Sequence, residues 1–204
     1  MTSKYSKRYD DSDEKKAERE VRVEMNIYEC SERGIKGAIV LDGDKFLESR
    51  KLIDAGFQEV FVFEAKPESW EAKSKALKRL NSVYQRKIHL QPLGDAFDSC
   101  ALHRISIKYR GKGILLDLDS CNNGVTIVRT LPRLLRRFYL CTEVVLNVNW
   151  SSRTNQKGVK MEDSFDEISD IVDGSLLEVE NSSDYKYRNN RSVMVSQRFV
   201  LVNY

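Results

Sequence analysis

The segment Gly37-Ala-Ile-Val-Leu-Asp42 decides how this chain folds, because four runs like it follow at even spacing. They are Glu59-Val-Phe-Val-Phe-Glu64, Ile88-His-Leu-Gln-Pro-Leu-Gly-Asp95, Gly113-Ile-Leu-Leu-Asp117 and Glu143-Val-Val-Leu-Asn147. Each is a short apolar run of strand length, the pattern of a parallel sheet covered on both faces. Between them lie helical patterns. Across Lys45 to Gly56 the apolar Phe46, Leu47, Leu52 and Ile53 can face a sheet, and Gly56 suits a helix C-cap. From Pro67, a residue suited to the first helical position, Trp70, Leu77, Leu80 and Tyr84 recur at helical spacing. The run Thr126 to Tyr139 predicts a helix with Pro132 in an early turn, and 99–110 reads equally as helix or extra strand.

After the fifth strand, a polar loop from Ser151 to Lys160 precedes an acidic amphipathic helix, Glu162 to Val172, with Phe165, Ile168 and Ile171 or Val172 on one face. The segment Tyr185 to Val202 predicts an antiparallel hairpin turning at Asn189-Asn190. Residues 1–24 carry seven bases and seven acids with no apolar pattern before Val21. They read as a charged flexible arm, helical from about Glu14 onward, ahead of a single domain over 25–204. The expected fold class is α/β, with a mostly parallel sheet between helical layers and a C-terminal antiparallel hairpin.

Length and composition are compatible with that. A chain of 204 residues and 23.6 kDa, 41% hydrophobic, can fill one core. The four cysteines, Cys30, Cys100, Cys121 and Cys141, have no metal-ligand spacing, and with two histidines they predict free thiols and no metal site. No apolar run reaches membrane-spanning length and the amino terminus is charged, so a soluble, cytoplasmic protein without a membrane partner is expected. The formal net charge of +3 is unevenly distributed. Residues 65–160 hold 18 Lys or Arg against 7 Asp or Glu, whereas 161–185 hold nine acids and no base. A segregated basic surface suits a polyanion, RNA or DNA, through phosphate neutralisation. Arg129, Arg133, Arg136 and Arg137, just after the fourth strand, are the candidate phosphate contacts.

Four of the five apolar runs end on an acid. Carboxyl ends of parallel strands share one crevice, so acids placed there converge on a common ligand of nucleotide type. A single carboxylate such as Glu64 can accept both hydrogen bonds of a vicinal diol.

Five β/α units, then a helix and a hairpin, with acidic strand ends, resemble the class I S-adenosylmethionine-dependent methyltransferases, a Rossmann-like three-layer αβα sandwich. The resemblance spans about residues 35–204. It implies that Leu41-Asp42-Gly43-Asp44 wraps the methionine part of the cofactor, with Asp42, Gly43 and Asp44 as contacts. It places Glu64, followed by Ala65, on the ribose hydroxyls, and Asp95 and Ala96 of Gly94-Asp95-Ala96-Phe97 at the adenine. Asp117-Leu118-Asp119-Ser120 would sit near the transferable methyl, with Asp117 also touching the cofactor and Asp119 and Asn122 facing the acceptor. The stretch Asp117-Leu-Asp-Ser-Cys-Asn-Asn-Gly124 is similar to an Asp-Tyr-Cys-like stretch of some viral and phage members, for which the host cytoplasm would be the location.

The resemblance therefore implies a methyltransferase that uses S-adenosylmethionine and acts on RNA or DNA, with a partner protein or a second copy compatible with it. The first turn has one glycine where the family has two or three, which leaves a second reading open. In that reading the fold is catalytically degenerate and serves as a nucleic-acid or protein-binding module. Leu115-Leu-Asp117-Leu-Asp119-Ser is also similar to the Asp-x-Asp start of haloacid dehalogenase-like phosphatases. That third reading needs Asp117 as nucleophile and draws on Ser151, Lys157 and Asp163 or Asp166.

Overall fold

A computed structural model of the chain describes residues 11–41, 46–64, 67–92, 99–119, 124–151, 161–188 and 193–203. Its elements are α1 (Asp11–Glu32), β1 (Gly37–Leu41), α2 (Leu47–Asp54), β2 (Glu59–Glu64), α3 (Pro67–Val83), β3 (Ile88–Pro92) and α4 (Ser99–Lys108). They continue with β4 (Gly113–Asp119), α5 (Gly124–Phe138), β5 (Glu143–Ser151), α6 (Met161–Asp173), β6 (Glu178–Arg188) and β7 (Val193–Val202).

The seven strands form one sheet in the order β3-β2-β1-β4-β5-β7-β6. The first five pair in parallel, and β7 runs antiparallel to both β5 and β6. Alternation along each strand sorts the core into two layers. Ala38, Val40, Val60, Val62, Leu115, Val145 and Val200 point to one face, where Ile27 and Cys30 of α1, Leu52 and Ile53 of α2, and Leu77 and Leu80 of α3 cover them. Ile39, Phe61, Phe63, Leu116, Leu146 and Leu201 point to the other, against Leu102 and Ile105 of α4, Leu131, Leu134 and Leu135 of α5, and Ile168 and Val172 of α6. This is the expected three-layer α/β sandwich, with the expected antiparallel hairpin at its end.

Two glycines let neighbouring layers close on the sheet. A Cβ on Gly37 would lie 2.1 Å from Cε1 of the Tyr109 ring, and one on Gly113 would lie 2.6 Å from Cγ1 of Ile35. Close approach to another group is one use of glycine inside a strand.

Several boundaries differ from the sequence reading. The segment 99–110 is helical up to Lys108, because Ala101, Leu102, Ile105 and Tyr109 fall on one buried stripe. β3 ends at Pro92, ahead of the Asp95 expected to close it. β6 starts at Glu178, seven residues before Tyr185, as an edge strand whose solvent exposure tolerates polar residues. The expected arm boundary at residue 24 falls inside α1, which runs unbroken from Asp11 to Glu32. Its packing is polar as much as apolar: Arg22, Val23, Asn26 and Cys30 are all buried.

Candidate functional site at the carboxyl edge

Strand register aligns the ends that matter. Glu64 pairs with Pro92, Leu41 with Phe63, and Leu41 with Leu118, so β3, β2, β1 and β4 finish side by side. The chain then leaves all four strands at one edge. Because β2 and β4 flank β1 on opposite sides, that edge contains the reversal of strand order at which open α/β sheets bind ligands.

Glu64, the last residue of β2, shares the face of Val60 and Val62 and is buried at 3% exposure. Lys73, from the second turn of α3, ion-pairs with its Oε2. A buried carboxylate is costly without a cation or donors, and Lys73 supplies the cation. Asp117 is two residues short of the end of β4, and its carboxylate lies under α1 at 1% exposure. Its Oδ1 accepts hydrogen bonds of 3.0 Å from Nδ2 of both Asn147 and Asn149, and its Oδ2 lies 3.7 Å from Nε of Arg22. Ser196 on β7 donates to Oδ1 of Asn149 at 2.5 Å, and Nη2 of Arg22 reaches Oε1 of Glu48 at 3.4 Å. Networks of this kind are strong in a low-dielectric interior when each member is paired, and costly when one is removed.

The same face carries Arg198, whose Nη2 donates to Oδ1 of Asn26 at 2.5 Å and whose Nη1 donates to the Met25 carbonyl at 3.2 Å. Burial lowers its guanidinium pKa against the opposing pull of Asp117 and Glu29. At the far end of α1, Arg33 ion-pairs with Glu29, Glu143 and Glu180. Helix α1 is thus pinned to the sheet at three heights by arginine.

Phe46 follows the first turn and takes φ 60° and ψ 22°, left-handed values that cost a bulky residue energy. Its ring is fully buried in the layer beneath α1 to α3.

Of the remaining residues expected at the site, Asp42, Gly43, Asp44, Ala65, Asp95, Ala96 and Asn122 lie outside the described residues, as do Cys121 and Lys157. Asp119 ends β4 at the carboxyl edge, and Arg129 lies in the first half of α5; their backbones alone are described. Arg133, Arg136 and Arg137 are exposed on α5. Only the start of α5 is at the ligand edge. Arg136 and Arg137 occupy its last turn, toward the opposite edge of the sheet, which is farther from the site than their nearness to β4 in sequence implies. Ser151 ends β5, and Asp163 and Asp166 lie on α6, Asp166 exposed. Lys73, Arg22, Asn147, Asn149 and Ser196 are the site-forming residues that sequence reasoning missed. Asn147 and Asn149 did carry a signal, as same-face polar residues in an otherwise apolar strand.

A separate cleft of about 400 Å³ opens between α1 and the C-terminal strands, lined by Val21, Met25, Tyr28, Asn181 and Arg198 among others. No residue of β1 to β4 lines it.

Most of this architecture recurs in solved structures. A candidate O-methyltransferase from Klebsiella pneumoniae superposes with a TM-score of 0.61 at 9% identity, covering 90% of this chain and 80% of that one. The fold is that of the class I methyltransferases. The methyltransferase domain of bacterial CtHen1-CN gives a TM-score of 0.56 at 10% identity over 89% of this chain and 97% of that one. A candidate tRNA (m1A22) methyltransferase from Streptococcus pneumoniae, solved in complex with S-adenosyl-L-methionine, gives 0.51 at 13% identity over 89% of this chain and 72% of that one. No family model matches the sequence, and a search of curated proteins finds no relative. Among the described residues, no helix is long and apolar enough to cross a membrane.

Proposed function

We propose that this chain is a cytoplasmic S-adenosylmethionine-dependent methyltransferase whose acceptor is a nucleic acid. The observation that carries this reading is the alignment of the ends of β3, β2, β1 and β4 on one edge, with Glu64 at the end of β2, inside a class I methyltransferase fold. The residue types fit the cofactor. Glu64 is a buried acceptor at the position where a ribose diol would donate twice, and acids near a sulfonium cost little. Asp42, Gly43 and Asp44 would follow β1 around the methionine moiety, Ala65 would follow Glu64, and Asp95 and Ala96 would meet the adenine. The cofactor supplies a methyl group already activated by the positive sulfur. What the protein adds is alignment and exclusion of water, which act without a covalent intermediate.

On the acceptor side, Asp119 and Asn122 remain the candidates at the end of β4. Asp117 acts through the packing of α1, because its carboxylate is committed to Asn147, Asn149 and Arg22. That commitment also argues against the phosphatase reading, which needs Asp117 as an accessible nucleophile. The degenerate-module reading draws support from Lys73, whose ammonium occupies the Glu64 carboxylate. Arg129, Arg133, Arg136 and Arg137 supply the positive charge for an RNA or DNA acceptor, and the tRNA methyltransferase among the structural neighbours agrees with that class.

Calorimetric titration with S-adenosylmethionine and S-adenosylhomocysteine tests the reading. Binding of both, weakened in Glu64→Ala by about 1–3 kcal/mol, is expected. Absence of heat with either ligand assigns the fold to the binding-module alternative.

A further inference from the structure

We propose that the outer face of α4 and α5 is a docking track for a duplex nucleic acid, which would anchor the acceptor on the order of 20 Å from the edge where methyl transfer takes place; the direction of the track rests on the methyltransferase reading above. Neither helix contains an acidic residue. Leu102, Ile105, Leu131, Leu134, Leu135 and Phe138 fix them to the sheet, which leaves Arg104, Arg133, Arg136 and Arg137 exposed. The turns that follow the helices add Arg110 and Lys112, also exposed.

These charges are brought together by specific contacts. The Gly111 amide donates to the Leu140 carbonyl at 2.8 Å and the Thr142 amide to the Lys112 carbonyl at 3.2 Å, which joins the two turns. Nη1 of Arg137 lies 3.5 Å from Nδ1 of His103, which bridges the helices above them. Lys108 is committed to Glu59 and does not contribute. On the flank, α6 packs beside α5 and exposes Asp166, Glu167, Asp170 and Asp173, an acidic ridge that bounds the track.

The dimensions select the ligand. Arg136 stands twelve residues beyond Gly124, about 18 Å along the helix axis from the methyl-transfer edge, and the exposed bases Arg104, Arg133, Arg136 and Arg137 lie in the halves of the two helices that face the opposite edge of the sheet. The six exposed bases gathered there, Arg104, Arg110, Lys112, Arg133, Arg136 and Arg137, are more than a mononucleotide can engage, whereas phosphates of one duplex strand recur about every 3.4 Å along the axis. Guanidinium groups suit phosphate oxygens through paired N–H donors. A protein partner is less well matched, because protein interfaces centre on an apolar patch. Among the described residues of these helices and turns, the exposed large apolar side chains are Ile107 and Tyr139.

The test compares the full chain with Arg110→Glu/Arg136→Glu and with Arg136→Lys. Each is titrated with labelled RNA and DNA duplexes about two helical turns long at several salt concentrations, and with S-adenosylhomocysteine by calorimetry. The charge-reversed variant should bind duplex at least tenfold more weakly, with a log–log salt slope shallower by about two, while Arg136→Lys keeps the slope. S-adenosylhomocysteine affinity should be the same in all three proteins. An unchanged slope overturns the track. Displacement of duplex by poly-glutamate at equal charge overturns its assignment to nucleic acid and points to an acidic protein. Duplex binding that is lost in the variant, in a protein that takes no S-adenosylhomocysteine, upholds the track and removes the methyltransferase reading.

Discussion

The Lys73 ammonium on α3 is ion-paired with the buried Glu64 carboxylate at the end of β2. A ribose binding at Glu64 has to share that carboxylate with the lysine or displace it. Lys73→Met should therefore lower the stability of the unliganded protein by about 3 kcal/mol, since a buried carboxylate loses its counter-charge. It should also enlarge the thermal stabilisation by S-adenosylhomocysteine, because the ligand's hydroxyls then no longer compete with the lysine for the carboxylate. Scanning fluorimetry of both proteins with and without ligand measures the two effects, and equal ligand-induced shifts would separate Lys73 from the cofactor site.

Arg22 is the cation between two carboxylates, Glu48 and Asp117. Arg22→Met keeps the volume and removes the cation shared by both acids, so urea unfolding should show a loss of about 3–5 kcal/mol. Adding Asp117→Asn removes one of the two negative charges. The double variant should recover part of that loss, and strict additivity of the two substitutions would mean that the pair is not coupled.

Gly37 has no room for a side chain. A methyl group there meets the buried Tyr109 ring at 2.1 Å, so Gly37→Ala should cost about 1–3 kcal/mol by overpacking. Gly37→Ala/Tyr109→Leu should regain stability relative to Gly37→Ala alone, as read from denaturant midpoints.

Glu59, at the start of β2, responds to opposing influences. Burial pushes its carboxyl up, but the hydrogen bond and charge of Lys108, together with His89, outweigh this and hold it below the usual value of 4.5. A carboxyl depressed in the folded state contributes stability that is complete above the unfolded value and is lost as pH falls through the folded one. Below about 4.5 the wild-type unfolding midpoint should fall more steeply with pH than that of Glu59→Gln. Parallel acid limbs would contradict the ion pair's contribution.

The parts of this fold that could be read from sequence are those buried by apolar contact alone. β1, β2 and β4 are covered on both faces, so they stand out as unbroken apolar runs. The crossover helices α2 and α3 show periodic stripes. α4 was ambiguous because Ile105 and Ile107 alternate as in a strand, although Ile107 is exposed and Ala101, Leu102 and Ile105 keep helical spacing. The helical character of α1 is legible from about Glu14, but its docking is not, because Arg22 and Asn26 hold it through polar groups whose partners on β4 and β7 are distant in sequence. β6 was read short because an exposed edge strand needs no apolar alternation. At the site, Glu64 was legible as an acid ending an apolar run. Lys73 was not, since its role depends on the angle at which α3 crosses β2. Asp117 was visible as a charge in a core strand, yet its partners come from α1 and β5.

The placement of β7 between β5 and β6 has a consequence for synthesis. During translation the outer edge of β5 lacks its partner until Val193 to Val202 has left the ribosome, although β5 itself was made some forty residues earlier. Over that interval Asn149 lacks the Ser196 hydroxyl and an apolar strand is bare, the condition in which nascent chains attract chaperones or aggregate. Closure of this edge therefore waits on β7, the seventh of the described strands in chain order.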